Sequence, residues 1–533
     1  MFFPVLNSFT LSLKIIKSIA IFFLIFIAFI SWSFENHEKA FEVIKVEGGN
    51  ISGTQNSTGD IHIFKGIPFA APPVGALRWK APQPVIAWSG IKRCIAFGPS
   101  PMQNTPHPFG PWSEEYLIPG EPVSEDCLYL NVWTGAHSSG EKRPVVLWIY
   151  GGGFVSGGTA VPVYDGEAMA KKGIVFVSAN YRVGIFGFFT LPELTEESAH
   201  QTSGNYGLLD QISALKWIKK NIAAFGGDPE NITIAGQSAG SWSVNYLVAS
   251  PLCKGLFQKA IAESGAQFVG QKAPVLKEAE TAGEKLEKSL NANSLEELRK
   301  MPAEKLLKSS WSLNTPVIDG YVLPQTIAET FSEGKQNNVP LLTGWNQDDG
   351  LAFGKMPAPE EYKNQAEKRY GTDAVQFLSL YPGNTDEEVA ASTKALSRDQ
   401  IFGIQNYSWA NQQAEKSKFP VYLYRFARKL PATGEYEKYG AFHTGEVAYA
   451  WDNLNFVKRC PWQPVDYSLE NIMSSYWANF ISTGNPNAKG LPPWPEYNTT
   501  NNPTMILDEK PRAKPLPDKK NLDFLIREIR KGK

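Results

Sequence analysis

The sequence predicts an α/β fold, a large and mostly parallel central sheet flanked by helices. Three observations carry this. Strand-like and helix-like segments alternate through the first half of the chain, the pattern of βαβ units. The strand-like segments are unbroken apolar runs, as expected where a sheet is covered on both faces. The longest helical period carries its lysines away from its apolar stripe.

The first segment stands apart from this pattern. Lys14 and Lys17 precede SIAIFFLIFIAFISWSF, small residues stand at Ser31 and Ser33, and the polar ENHEKA follows. Residues 1–33 therefore read as a secretory signal cleaved near Ser33, which makes the protein exported, secreted or periplasmic. The alternative is an uncleaved membrane anchor, because Trp32 and Phe34 crowd the cleavage position. Further on, RPVVLWIY (Arg143 to Tyr150) and GIVFVSAN (Gly173 to Asn180) read as buried strands. Leu208, Ile212, Leu215, Ile218 and Ile222 then recur at helical spacing, with Lys219 and Lys220 outside and glycines closing the helix. NITIAG (Asn231 to Gly236), VPLLTG and FPVYLYRF are further strands, and Glu278 to Lys308, rich in Leu, Glu and Lys, is helical.

The composition narrows the function. The chain has 533 residues, a formal charge of -1, 43% apolar and 20% charged residues. That balance is ordinary for a globular protein and leaves no basic footprint for nucleic acid or an anionic membrane. Length alone suggests about three or four domains. The four cysteines, Cys94, Cys127, Cys253 and Cys460, have no zinc-site spacing, and Cys253 and Cys460 read as small buried side chains.

Chemistry enters after the strand NITIAG, where Gly236-Gln237-Ser238-Ala239-Gly240 forms a G-x-S-x-G element. A serine hydroxyl is a weak nucleophile and needs an exposed, base-accessible position. A sharp strand-to-helix turn with small neighbours supplies one, and this element has a strand before it and a helix after it. FGGDPENITIAGQSAG (Phe225 to Gly240) resembles the serine signature of the type-B carboxylesterases, the cholinesterase-like branch of the α/β-hydrolase fold, which includes bacterial para-nitrobenzyl-esterase-like members. SEDCLYLNVW (Ser124 to Trp133) resembles that family's second signature. FKGIPFAAPPVGALRW, ANYRVGIFGFF, GNYGLLDQ and GNPNAKGLPPWPEY match it as well. The resemblance spans about Val43 to Tyr497. It implies one hydrolase domain over residues 41–520 in place of several; the residues after it, NLDFLIREIRKGK over 521–533, read as an amphipathic basic tail helix.

The resemblance also assigns a site. In YGGGFVSGG, Gly152 and Gly153 with Ala239 are the oxyanion-hole donors, while Gly157 and Gly158 read as flexible loop glycines. Of six histidines only His443 follows Ser238. In this fold the order is Ser, acid, His, which makes His443 the general base. The acid lies in Gly344-Trp345-Asn346-Gln347-Asp348-Asp349-Gly350, where Asp349 falls on the family's usual Glu position and Asp348 on the Asp before it. Ser264 resembles a serine that hydrogen-bonds the acid, and Arg78 with Glu125 and Arg182 with Asp210 resemble structural ion pairs. Cys94 and Cys127 resemble a disulfide pair, although Cys94 lies ahead of the turn that the family's first cysteine usually follows.

The implied activity is hydrolysis of a carboxylic ester of a small molecule through an acyl-serine intermediate. It needs no metal or organic cofactor, no nucleic acid and no stable membrane partner unless the N-terminal segment is retained. The entrance tryptophan of cholinesterases has no counterpart, the residue ten before Cys127 being Leu117, so choline esters are not expected substrates. Phe154, Phe186, Trp242 and Trp345 line an apolar pocket or simply fill the core. The same triad would serve an amidase, thioesterase or transacylase, and the fold also has non-catalytic binding and adhesion members. Glycosylation sequons stand at Asn50, Asn56, Asn231, Asn406 and Asn498.

Overall fold

Apolar runs that cannot face water on either side become the middle of a sheet. Val145 to Ile149 are all buried, and they form the strand to which the neighbouring elements attach. In the computed structural model, which describes residues 43–270, 273–351 and 355–532, eleven strands join into one sheet. In chain order they are β1 (Thr54–Gln55), β2 (His62–Pro68), β3 (Tyr129–Thr134), β4 (Arg143–Ile149), β5 (Val175–Ala179), β6 (Gly227–Gln237), β7 (Lys259–Glu263), β8 (Leu341–Asn346), β9 (Val421–Phe426), β10 (Pro503–Leu507) and β11 (Arg512–Pro515). Their spatial order is β11-β10-β9-β8-β7-β6-β4-β5-β3-β2-β1. The six pairings from β10 to β5 are parallel, and the outer pairings at both ends are antiparallel. The sheet is therefore mixed, with a parallel core where the sequence runs are longest.

The strand expected over Asn231 to Gly236 begins earlier, at Gly227, with a break in register between Gly227 and Ile232. Asp228 folds its own side chain onto Glu230 N at 2.9 Å, an Asx turn that takes the intervening residues out of the ladder.

Helices cover the sheet. We use α1 (Tyr206–Asn221), α2 (Ala239–Ala249), α3 (Asp386–Arg398), α4 (Ile404–Lys416), α5 (Pro464–Thr483) and α6 (Lys519–Arg530). The expected helical stretch Glu278 to Lys308 is three helices, Leu276–Ser289, Leu295–Lys300 and Ala303–Leu307. The breaks fall at Asn291, with φ +55, and at Pro302, which cannot donate into a helix interior. Two arginines stitch these layers. Arg182 meets Asp210 through Nε at 2.8 Å and Nη2 at 2.7 Å, both side chains buried. Arg78 pairs with Glu125 and donates Nη1 to the carbonyls of Leu298, Arg299 and Met301, a cation on the carbonyl end of a short helix.

One sequence expectation is corrected, and one of the five sequons is set aside. Cys94 and Cys127 are separate free thiols, as are Cys253 and Cys460. Cys94 Sγ lies 4.0 Å from the carbonyl of Gly66, and Cys127 is buried in the field of Asp210 and Arg182, so each thiol has its own niche. Asn406 is wholly buried, accepting from Gly265 N at 3.0 Å and donating to Thr343 at 2.8 Å, which removes it as a glycosylation site. Residues 1–33, read from the sequence as an export signal, lie outside the described residues. No helix among those residues is long and apolar enough to cross a membrane. The tail helix, α6, lays Leu522, Phe524 and Leu525 into the core and fixes Asp523 to Tyr407 Oη at 3.0 Å.

Candidate active site

The predicted site residues gather where the parallel strands end, the usual ligand edge of an α/β sheet. Ser238 follows β6 and caps α2 with φ +57 and ψ -123. That is a strained conformation for a residue with a Cβ, held by two backbone bonds. Its N–H donates to Glu263 O at 2.9 Å, and its carbonyl accepts from Trp242 N at 2.9 Å. The turn is this tight only because side chains are missing. A Cβ on Gly240 would stand 1.9 Å from Ile149 O, and one on Gly236 would stand 2.4 Å from Gly240 O.

The glycine loop after β4 lies against this turn. A Cβ on Gly151 would meet Gln237 O at 2.7 Å and Ser238 Cβ at 2.9 Å. Gly152 and Gly153 have φ +115 and +62. Their N–H groups make no backbone hydrogen bond among the described residues, and Ala239 opens α2, where the first amides lack intrahelical acceptors. Gly157, read from sequence as a flexible glycine, is instead clamped. Gln103 donates to its carbonyl at 2.7 Å and accepts from its N–H at 2.8 Å. Gly158 is equally confined, since a Cβ there would press on Ile118 and Ser100 at 3.0 Å.

Asp349 and His443 form the second half. Asp349 is fully buried. Its Oδ1 meets His443 Nδ1 at 2.7 Å, and its Oδ2 accepts from Ser264 Oγ and from Asn346 N, each at 2.7 Å. The shorter acid therefore reaches the ring. Asp348 points elsewhere. It accepts from Ala441 N at 2.9 Å and pairs with Lys394 at 3.2 Å, tying the acid loop to the histidine loop from outside. The Ser238 hydroxyl makes no hydrogen bond to a described residue. Bonds of this kind are often long in a ligand-free site and tighten on binding.

Several residues that sequence reasoning passed over complete the surroundings. Asn346 donates Nδ2 to Phe442 O at 2.8 Å and also to Glu446 Oε2. Burial pushes the Glu446 carboxyl well above the usual carboxylate range, helped by the charges of Asp349 and Glu263. Burial likewise raises Glu263 to about 8, against the pull of its bond from Trp477 Nε1. Trp112 donates to Thr444 Oγ1 at 3.1 Å and stands edge-on to His443 at 6.3 Å. Phe402 stacks on His443 at 4.5 Å. Asn346 and Gln237 lie inside the quoted motifs and were legible there; Phe402 and Trp112 carry no local signal. Of the four aromatics singled out, Phe154, Phe186 and Trp345 are buried core residues, and Trp242 is half-buried against Phe402. A cavity of about 620 Å³ lined by Trp79, Leu194, Leu209, Trp217 and Tyr321 includes none of Ser238, Asp349 and His443 in its walls.

The profile of the carboxylesterase family matches residues 40–525. The chain is 36% identical over 478 residues to a fumonisin B1 esterase of Sphingopyxis macrogoltabida, covering 85% of this chain and 84% of that protein. It is 34% identical over 492 residues to the para-nitrobenzyl esterase of Bacillus subtilis strain 168, covering 88% and 95%. A solved PNB esterase structure aligns with a TM-score of 0.77 at 31% identity, covering 91% of this chain and 99% of that one.

Proposed function

This chain belongs to the carboxylesterase family and is a carboxylic ester hydrolase, and from that premise we propose that it works through an acyl-serine intermediate with Ser238 as nucleophile, His443 as base and Asp349 as acid. The observation that carries the reading is the 2.7 Å contact between His443 Nδ1 and buried Asp349, beside a serine held at a positive-φ turn. An acceptor on Nδ1 keeps the proton there, leaving Nε2 free to take one.

The steps balance as follows. His443 Nε2 takes the Ser238 proton as Oγ bonds to the ester carbonyl carbon. The oxyanion is met by the N–H groups of Gly152, Gly153 and Ala239, a kind of donor whose loss costs on the order of 10²–10³ in rate elsewhere. The bond to the alcohol breaks as His443 returns the proton to it. Water then repeats the sequence, with its proton passing to His443, and the acid leaves as Ser238 regains its own. Ser264 and Asn346 hold Asp349 for this role. No metal or organic cofactor enters any step, and the substrate is a small-molecule ester.

Hydrolysis of a short p-nitrophenyl ester tests this. The wild-type chain turns it over and Ser238→Ala does not; turnover retained in Ser238→Ala would sink the reading. A panel of esters, amides and thioesters, with added alcohol as competing acceptor, separates ester hydrolysis from the other uses of the same triad. We also propose that residues 1–33 direct export and are removed. The N-terminal mass of the protein recovered from the culture medium or periplasm checks this, and an intact N-terminus in the membrane fraction would favour the anchor.

A further inference from the structure

The stacking around His443 is continuous and mostly comes from one element. Gln237 Nε2 lies 3.4 Å from His443 Nδ1 and 3.3 Å from Nε2. Near-equal distances to both ring nitrogens put the amide over a face of the imidazole, since an atom in the ring plane at these distances from both would collide with Cε1 between them. Phe402 is stacked on the ring with centroids 4.5 Å apart and planes 19° apart, so a second flat group lies against the imidazole. Trp242 continues the stack on Phe402 at 6.1 Å and 30°, and its own Nε1 is fixed to Ala266 O at 2.6 Å. Gln237 directly precedes Ser238, and Trp242 follows it by one helical turn, with Trp242 N on Ser238 O at 2.9 Å. Both ends of the stack thus belong to the turn that carries the nucleophile.

Phe402 reaches this position by an unusual backbone. Between α3 and α4 the chain makes a π-helical turn over Asp399–Gly403, a rare form that is frequent at functional sites. The turn is pinned by buried charge. Arg398 Nε donates to Asp399 Oδ1 at 2.7 Å and its Nη1 to Gln347 O at 3.1 Å, while Tyr381 Oη donates to Asp399 Oδ2 at 2.8 Å. Asp518, at the head of α6, receives Arg398 at 3.0 Å and Arg425 at 2.7 Å. Gly403 gives α6 room, for a Cβ there would meet Leu522 at 2.8 Å.

We propose that Phe402 and Gln237 are positioning residues that grip the His443 imidazole between two faces, the π-turn setting one and the nucleophile turn the other. Phe402 is fully buried and Gln237 nearly so, so both act through His443. Asp349 fixes one edge of the ring, which leaves rotation about that bond as the motion that would swing Nε2 away from Ser238, and two flat neighbours oppose it. The proposal rests on His443 being the base.

Phe402→Leu keeps an apolar side chain and loses the flat face. It is compared with Phe64→Leu, a buried phenylalanine on β2 at the far end of the sheet. With a p-nitrophenyl ester, Phe402→Leu is expected to lose kcat about tenfold to a hundredfold, as small misplacements of a reacting group do, with KM within about twofold. Phe64→Leu loses thermal stability alone. Equal kcat in the two variants, measured well below both melting temperatures, would overturn the proposal. Gln237→Glu provides an arm that does not depend on repacking. A carboxylate over the ring favours imidazolium, so the acid limb of kcat/KM moves to higher pH by about one unit; an unmoved limb would also overturn the proposal. The other titratable groups facing this region are Asp349, Glu446 behind Asn346, Glu263 beside Ser264, and Arg398 with Asp399 on the π-turn, with Asp348 and Lys394 on the outer side, and none is altered in these variants. His443→Ala separates the two readings. If it stays active the base assignment fails, whereas if it is dead and Phe402→Leu is intact only this inference fails.

Discussion

The two halves of the site are built by opposite means. In the nucleophile half, from β4 to the start of α2, geometry is set by what is absent. Gly151, Gly236 and Gly240 let three backbone segments come within contact of one another. In the acid–base half, after β8 and β9, geometry is set by side chains. Asp349 carries three hydrogen-bonding partners, Asn346 bridges the two loops, and Asp348 ties them from outside. The first half is therefore broken by adding an atom, and the second by removing or neutralising one.

Gly240→Ala should have the largest effect. The new methyl carbon would stand 1.9 Å from the carbonyl oxygen of Ile149 in the middle of the sheet, and backbone on both sides leaves nothing flexible to yield. The expected result is no active soluble enzyme, read by expression yield and activity. Soluble Gly240→Ala with near wild-type kcat would break the contrast at its strongest point. Next is the pair of aspartates. Asp349→Asn removes the charge that balances the imidazolium and permits the wrong tautomer, for which a loss on the order of 10⁴ in kcat is known in another serine hydrolase. Asp348→Asn keeps an acceptor for Ala441 N and should leave kcat within about threefold. Equal kinetics in the two variants would remove Asp349 from the role proposed for it.

The same contrast explains what could be read from the sequence. The parallel core was legible because runs such as RPVVLWIY and GIVFVSAN exclude half-exposed strands, and the glycine turn was legible because backbone crowding leaves its mark at fixed, adjacent positions. Chain order and motif register singled out His443, Asp349 and Ser264, and the structure brings the three together. Phe402 was not legible: it stands on a π-turn, where one inserted residue shifts the helical phase that a periodic reading follows. Glu446 and Glu263 were missed because their significance lies in burial created by distant elements such as Trp477 on α5. The disulfide expectation failed for a related reason. Resemblance located two cysteines by their neighbours in sequence, while pairing depends on where the folded chain puts each thiol.

Glu263 shows how the two halves meet, because its carbonyl anchors Ser238 while its carboxyl is buried and accepts from Trp477 Nε1 next to Ser264, the partner of Asp349. Its carboxyl rises from 4.5 to about 8 on folding. Between those values the folded chain holds a proton that the unfolded chain has released, so this group lowers stability as pH rises through that window, by at most ~1.4 kcal/mol per unit. Glu263→Gln keeps an acceptor for Trp477 Nε1 and removes the linkage. Denaturant unfolding should find the variant equal to wild type near pH 4 and more stable by roughly 1 kcal/mol or more at pH 8. A constant difference across that range would mean the carboxyl is not the titrating group.

Among the groups that hold Asp349, the smaller loss is expected at Ser264, where the side-chain half has a spare. Ser264 Oγ and Asn346 N both donate to the same oxygen, Asp349 Oδ2. Removing the hydroxyl leaves that oxygen with one donor and leaves His443 on the other oxygen undisturbed. A hydrogen bond to a charged group contributes about 1.5–3 kcal/mol, and a surviving partner at 2.7 Å on the same atom keeps the loss toward the lower end. Ser264→Ala should therefore cost about tenfold in kcat or less, with KM unchanged. A loss as large as that of Asp349→Asn would mean that Ser264 orients the acid by itself, and that the backbone of Asn346 contributes little to holding it.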